Sequence, residues 1–83
     1  MFKNKTKSGK NNISGEAIRR LRKDAVPKMS QRILADKLQL LGIDVDKNAI
    51  QRIESGERFV TDIELVALSK ALTKSIEELL NKE

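Results

Sequence analysis

The chain reads as an all-α domain, a compact bundle of five short helices, and three observations predict this. Apolar residues recur every three to four positions, and no segment alternates like a strand for more than a few residues. Each apolar stripe is preceded by a helix-start residue, in order Ser14, Ser30, Asp46, Thr61 and Ser75. With two Phe and no Trp or Tyr, the core must be almost wholly aliphatic.

Residues 1–12 form the first segment, polar and basic (Lys3, Lys5, Lys7, Lys10), with only Met1 and Phe2 apolar. Such a stretch buries too little to order itself and reads as a flexible arm. The domain is expected over 13–83. Ser14 is a good N-cap, and Ala17, Ile18, Leu21 and Ala25 follow at helical spacing until Pro27 ends the first helix. Ser30 caps the second helix, where Ile33, Leu34, Leu38 and Leu41 make the apolar stripe and Gly42 closes it. After a connector of Ile43, Asp44 and Val45, Asp46 caps a third helix with Ile50 and Ile53 facing inward, and Ser55-Gly56 stops it. Thr61 with Glu64 forms a capping box ahead of Leu65, Leu68 and Leu72. Ser75 with Glu78 repeats that signal for a fifth helix carrying Ile76, Leu79 and Leu80, which, like Leu40, read mainly as core.

Composition removes several function classes. Eighty-three residues support one modest core. Without Cys or His there is no disulfide, thiolate, zinc site of that type, or histidine acid–base chemistry. No nucleophile–base pair or phosphate-cradling Gly loop stands out, so the expectation is no enzyme, no catalytic residue, no metal and no cofactor. No apolar run reaches membrane-span length, and the basic N-terminus lacks the apolar stretch of a signal peptide. A soluble, cytoplasmic chain is expected.

The net charge of +5 is unevenly spread. Residues 1–41 hold eleven Lys/Arg against Glu16, Asp24 and Asp36, whereas residues 42–83 hold six against nine acids. This polarity suits a polyanion on one side, although a merely soluble surface would look the same.

The segment from about Ser30 to Ser55 adds chemistry to the pattern. Ala35 is small where a third helix would cross the second, and Leu34, Leu38, Ile50 and Ile53 can clamp it. The outward residues of that third helix, Lys47, Asn48, Gln51 and Arg52, are long and polar. Asn can pair bidentately with adenine and Arg with guanine. The run Met29-Ser30-Gln31, Leu34-Ala35, Leu38, then Ile50 through Gly56 to Arg58, resembles the phage-repressor/Cro-like helix-turn-helix family, also called the XRE family. The similarity takes in Ile18, Leu21 and Arg22 upstream and Leu65, Leu68, Leu72, Ile76 and Leu79 downstream, over roughly 13–81.

The resemblance implies a lambda-repressor-like DNA-binding fold and a set of roles. Lys47, Asn48 and Arg52 match base-reading positions, with Gln51 at the edge of that face. Gln31, at the helix start capped by Ser30, matches a phosphate contact, and Arg58 matches a backbone contact in the loop after the third helix. Arg22 and Glu54 match a buried ion pair that serves structure. The arm lysines, Lys10 included, read either as solubilising charge or as a DNA-wrapping arm.

Two departures from the family pattern stand out. Leu38 and Ile50 lie twelve residues apart, where the commonest spacing is about seven with its short turn. The surplus predicts an extended second helix (Gln39, Leu40, Leu41) and a long turn. In addition, Thr73-Lys74 stands where Gly-Val is usual, so the fourth helix must close in a less comfortable conformation. The leading functional expectation is a sequence-specific double-stranded DNA-binding transcriptional regulator, a repressor, acting as a homodimer on DNA. The alternative is an antitoxin or anti-repressor type module whose main partner is a protein, which would leave a large apolar surface on the last two helices. No small-molecule ligand and no membrane are expected.

Overall fold

Pro27 has no N–H to give to the carbonyl of Lys23, which sits four residues earlier, so the first helix must stop there. The computed structural model, which describes residues 12–80, shows α1 as Gly15–Lys23, with Ala25 beyond its end rather than on its apolar face as the spacing suggests. Four more helices follow among the described residues: α2 (Gln31–Leu40), α3 (Lys47–Ser55), α4 (Asp62–Leu72) and α5 (Ile76–Leu80). No strand occurs among these residues.

Local capping explains most of the boundaries. The Ser30 hydroxyl accepts from Ile33 N at 3.1 Å, and the Asp46 carboxylate accepts from Ala49 N at 2.8 Å. Thr61 and Glu64 cap each other reciprocally, as do Ser75 and Glu78. Ser14 is the exception. It stands at the N-cap of α1, yet its side chain makes no capping bond and is buried. Asn12 does the capping instead, accepting from Gly15 N at 2.7 Å while its amide donates to the carbonyls of Ile53 (3.1 Å) and Arg58 (2.7 Å). Asn12, grouped with the arm by composition, is therefore tied into the folded body.

Three helix ends share one hydrogen-bond pattern. After α2, Ile43 N donates to Leu38 O and Gly42 N to Gln39 O; after α3, Glu57 N donates to Arg52 O and Gly56 N to Ile53 O. Both turns need a left-handed residue, and Gly42 (φ 89°) and Gly56 (φ 87°) supply it without a Cβ penalty. The α4 end repeats the bonds from Lys74 N to Ser69 O and Thr73 N to Lys70 O, with Thr73 at φ 52° in the strained position. The discomfort expected from the missing glycine is present.

The long turn spans residues 41–46. Val45 is its anchor, buried in the core, and Gln39 Nε2 donates to Val45 O at 2.7 Å to hold the loop against the helix it leaves. The core comprises Ile18 of α1, Leu34, Ala35 and Leu38 of α2, Ala49, Ile50 and Ile53 of α3, Ala67, Leu68 and Leu72 of α4, and Leu79 of α5. It is aliphatic throughout, and Phe59 lies more than half exposed. Leu40, expected in the core, is 87% exposed. At 100° per residue it points to the side opposite Leu34 and Leu38, so lengthening the helix carries it into solvent. Ile33 and Leu41, assigned to the α2 stripe, are also partly exposed at its margins, as are Ile76 and Leu80 on α5.

Candidate nucleic-acid interface

α3 divides into two faces. Ala49, Ile50, Ile53 and Glu54 are buried, while Lys47, Asn48, Gln51 and Arg52 are exposed. At 100° per residue the four exposed side chains fall within an arc of about 140°. None of them makes a side-chain hydrogen bond or ion pair among the described residues. Four long or amide-bearing side chains are thus held on one rigid surface with their donors unspent, which is what reading the edges of bases requires.

Two contacts fix the far end of α3 against α1. The Asn12 amide seals the Ile53 carbonyl, and Gly15 packs so closely that a Cβ there would lie 2.9 Å from Glu54 O and nearer still to Ile53 O. At the same end, the structure brings Arg22 and Glu54 together in a buried two-point pair, Nε to Oε2 at 2.6 Å and Nη2 to Oε1 at 3.0 Å. Arg22 Nη1 also donates to Met29 O at 3.1 Å. Gln31 completes the network, its Nε2 donating to Glu54 Oε1 at 3.0 Å. Gln31 is half-buried in the first turn of α2. The Glu54 carboxylate therefore ties the first and third helices together and also sets the orientation of the Gln31 amide.

Arg58, matched to a backbone contact in the loop after α3, is engaged within the protein. Its guanidinium forks onto Glu64, Nη1 to Oε1 and Nη2 to Oε2, both at 3.0 Å, and Nη1 also reaches Phe59 O. The Arg58 hydrogen bonds hold the Glu64 carboxyl below its ordinary value, and Glu64 in turn raises Arg58. Two of the five N–H groups of Arg58 remain, but its charge is cancelled locally. Lys10 lies outside the described residues.

Three cations passed over in the sequence join the same surface. A cleft of about 710 Å³ is lined by Lys23 at the end of α1, Lys28 and Met29 in the connection to α2, Ser30, Gln31 and Arg32 at its start, and Lys47, with Arg22 beneath. Among the described residues, no carboxylate lines it. Arg32 and Lys47 also share the neighbouring depression with Asp36, Gln39 and Asp46. In sequence, Lys23, Lys28 and Arg32 look like any solvated helix face or loop. Only the packing of α1 and α2 on α3 sets them beside Lys47.

Among the described residues, no group of three or more His, Cys, Asp or Glu could hold a metal, and no helix is long and apolar enough to cross a membrane. Comparison with known proteins gives one finding of family: a helix-turn-helix family model matches residues 18–79, from Ile18 within α1 to Leu79 of α5. No curated relative and no solved structure matches the chain. The match covers most of the sequence and every helix that builds the exposed face of α3. The chain belongs to the Cro/repressor-like helix-turn-helix family of DNA-binding regulators, the XRE family.

Proposed function

We propose that this regulator is a sequence-specific repressor that binds duplex DNA as a homodimer, with α3 in the major groove. The observation that carries the reading is the exposed face of Lys47, Asn48, Gln51 and Arg52, unpaired and set on a helix whose other face is core. Asn48 and Arg52 take the base-pairing roles their chemistry suits, Lys47 stands at the groove edge nearest α2, and Gln51 lies between them. Gln31 and Ser30, at the start of α2, meet a phosphate with the help of the helix-start amides. Arg58, already forked by Glu64, shapes the loop after α3 and offers a phosphate only its remaining N–H groups.

Dimerisation would use apolar side chains on the last two helices. Ile63 and Val66 of α4, and Ile76 and Leu80 of α5, are all partly or largely exposed. A two-fold contact there would present two α3 helices to successive turns of the groove. The same surface supports the second reading, a module whose main partner is another protein.

Selection of bound sites from a random duplex pool at two salt concentrations separates these. The proposal expects a two-fold symmetric consensus and binding that falls steeply with salt. Recovery of no consensus at either salt, together with a specific protein partner retained at high salt, would favour the second reading.

A further inference from the structure

A second hollow, of about 610 Å³, opens between the α1–α2 connection, α2 and the end of α4, and among the described residues none of α3 lines it. Its floor is apolar, with Leu21, Met29 and Ala71 half-buried and packed on the core. Val26 and Ile33 stand at its edge. Val26 is 95% exposed, and Pro27 behind it restricts its backbone, so little order is lost when something binds there. Leu40 prolongs the strip along α2. It lies seven residues after Ile33, so at 100° per residue the two share a face to within about 20° and stand about 10 Å apart along the axis. The surplus residues that lengthen α2 thus extend an exposed apolar face. Exposed apolar residues scattered singly are ordinary; three in succession beside an apolar groove mark a binding surface.

The rim of this groove is cationic. Lys28, Lys37 and Lys74 border it, against Asp24 as the one acid among the described residues. Lys37 sits between Ile33 and Leu40 in the strip, and neither its side chain nor that of Lys28 makes a hydrogen bond or ion pair among the described residues. Lys74 is near the Glu78 carboxylate. This charge selects among occupants. Residues 1–11 of the chain itself carry four Lys and no acid, so the rim repels them. A small amphipathic anion needs enclosure over most of its surface, which a site edged by exposed Val26 and Leu40 does not give. A helix with apolar residues at i, i+3 or i+4, and i+7 spans the distance from Ile33 to Leu40, and acids beside those residues meet the lysines.

We infer that this groove docks an amphipathic helix of another protein, its apolar stripe set against Val26, Ile33 and Leu40 and flanked by Asp or Glu facing Lys28, Lys37 and Lys74. The site is separate from Ile63, Val66, Ile76 and Leu80, none of which lines it. No residue assigned above to base reading or phosphate contact lines it either, so it stands or falls apart from the DNA-binding reading.

The test begins with a phage-displayed library of random peptides of about 16 residues, some four helical turns, selected on the immobilised full chain in the presence of excess random-sequence duplex. Enriched peptides should carry apolar residues at helical spacing and an excess of acid. One of them, synthesised with a fluorescent label, is then titrated by anisotropy. Val26→Ser and Leu40→Gln, both at exposed positions, should each weaken binding about tenfold, as loss of an anchoring contact does. Lys37→Glu should weaken it at least as much and Lys74→Gln by a smaller factor, and both losses should shrink at about 1 M salt. Arg52→Gln, on α3, should leave the peptide affinity unchanged. Circular dichroism shows that each variant is folded at the assay temperature. No enriched consensus, or one without acids, would overturn the docking site. So would unchanged affinity in folded Val26→Ser and Leu40→Gln. A loss in Arg52→Gln but not in Leu40→Gln would overturn it in favour of an acidic peptide resting on α3. Sedimentation equilibrium of the free chain should give the same association state for wild type, Leu40→Gln and Lys37→Glu. If either variant turned an associating chain into a monomer, a second copy would be the occupant and the partner helix would be overturned.

Discussion

Removing Arg22 should unfold this domain more readily than deleting any single methyl from its core. The Glu54 carboxylate is buried and accepts three hydrogen bonds, two from Arg22 and one from Gln31. Arg22→Met keeps most of the packing volume but leaves a buried carboxylate with one neutral donor. Breaking a buried pair this way costs about 3–5 kcal/mol. The whole stability expected for a chain of this length is about 4–12 kcal/mol, so the variant should sit near the edge of folding. Replacing both partners, Arg22→Met with Glu54→Leu, removes the stranded charge and should return stability to within about 1–2 kcal/mol of wild type. Urea denaturation followed by circular dichroism measures this, since the chain has no Trp or Tyr for fluorescence. The double variant should nonetheless bind DNA more weakly, because Gln31 loses the carboxylate that orients it. A single-variant loss below about 1 kcal/mol would refute the reasoning. So would a double variant destabilised by the sum of its singles.

Further outcomes follow from particular contacts. Thr73→Gly relieves a β-branched residue in left-handed conformation; against the extra entropy of an unfolded glycine, the net gain should be about 0.5–1 kcal/mol, read as a rise of several degrees in Tm. Glu64 has its pKa lowered by Arg58, so the pair stabilises the fold above the ordinary carboxyl value of 4.5 and loses that contribution as pH falls through the lower folded value. The stability difference between wild type and Glu64→Gln should therefore be flat near neutrality and shrink below about pH 4.5, and partial exposure keeps it under about 1 kcal/mol. Leu38→Ala should cost about 2–5 kcal/mol in urea denaturation, while Leu40→Gln, two residues later but in solvent, should cost almost nothing. Asn12→Ala removes three hydrogen bonds, one at the start of α1 and two to Ile53 and Arg58 around the end of α3, and should cost about 1–3 kcal/mol, with amide exchange quickening at Gly15.

How much of this was legible in the sequence depends on the range of the interaction involved. Caps at Ser30, Asp46, Thr61 and Ser75 are contacts between residues three apart, and they were readable because their partners are nearby in the chain. The Asn12 cap is equally local in its bond to Gly15. It is hidden because its main bonds run to Ile53 and Arg58, 41 and 46 residues away, and composition alone groups Asn12 with the arm. Leu40 illustrates a different limit. A Leu40-Leu41 pair suggests burial by hydrophobicity, but helical phase puts Leu40 outside, and that phase depends on α2 running unbroken to Leu40. The exposed face of α3 followed from periodicity, as did its buried opposite. What periodicity could not give was the company Lys47 keeps. Lys23, Lys28 and Arg32 reach it through the packing of α1 and α2 on α3, and no local spacing encodes that packing. The pairing of Arg58 is hidden in the sequence for a related reason, since Glu64, six residues on, closes on it only once α4 turns its first residues back toward the loop.

The central claim is that DNA meets the exposed face of α3 and the start of α2. Backbone and side-chain NMR of the labelled chain, titrated with a duplex recovered by site selection, tests it most directly. The largest shift changes are expected at Lys47, Asn48, Gln51 and Arg52, with Gln31 and Arg32 close behind and the exposed Ile63 and Val66 changing only where two copies meet. Shift changes concentrated on α4 and α5, with the Asn48 side-chain amide and the Arg52 guanidinium unmoved at saturation, would contradict it.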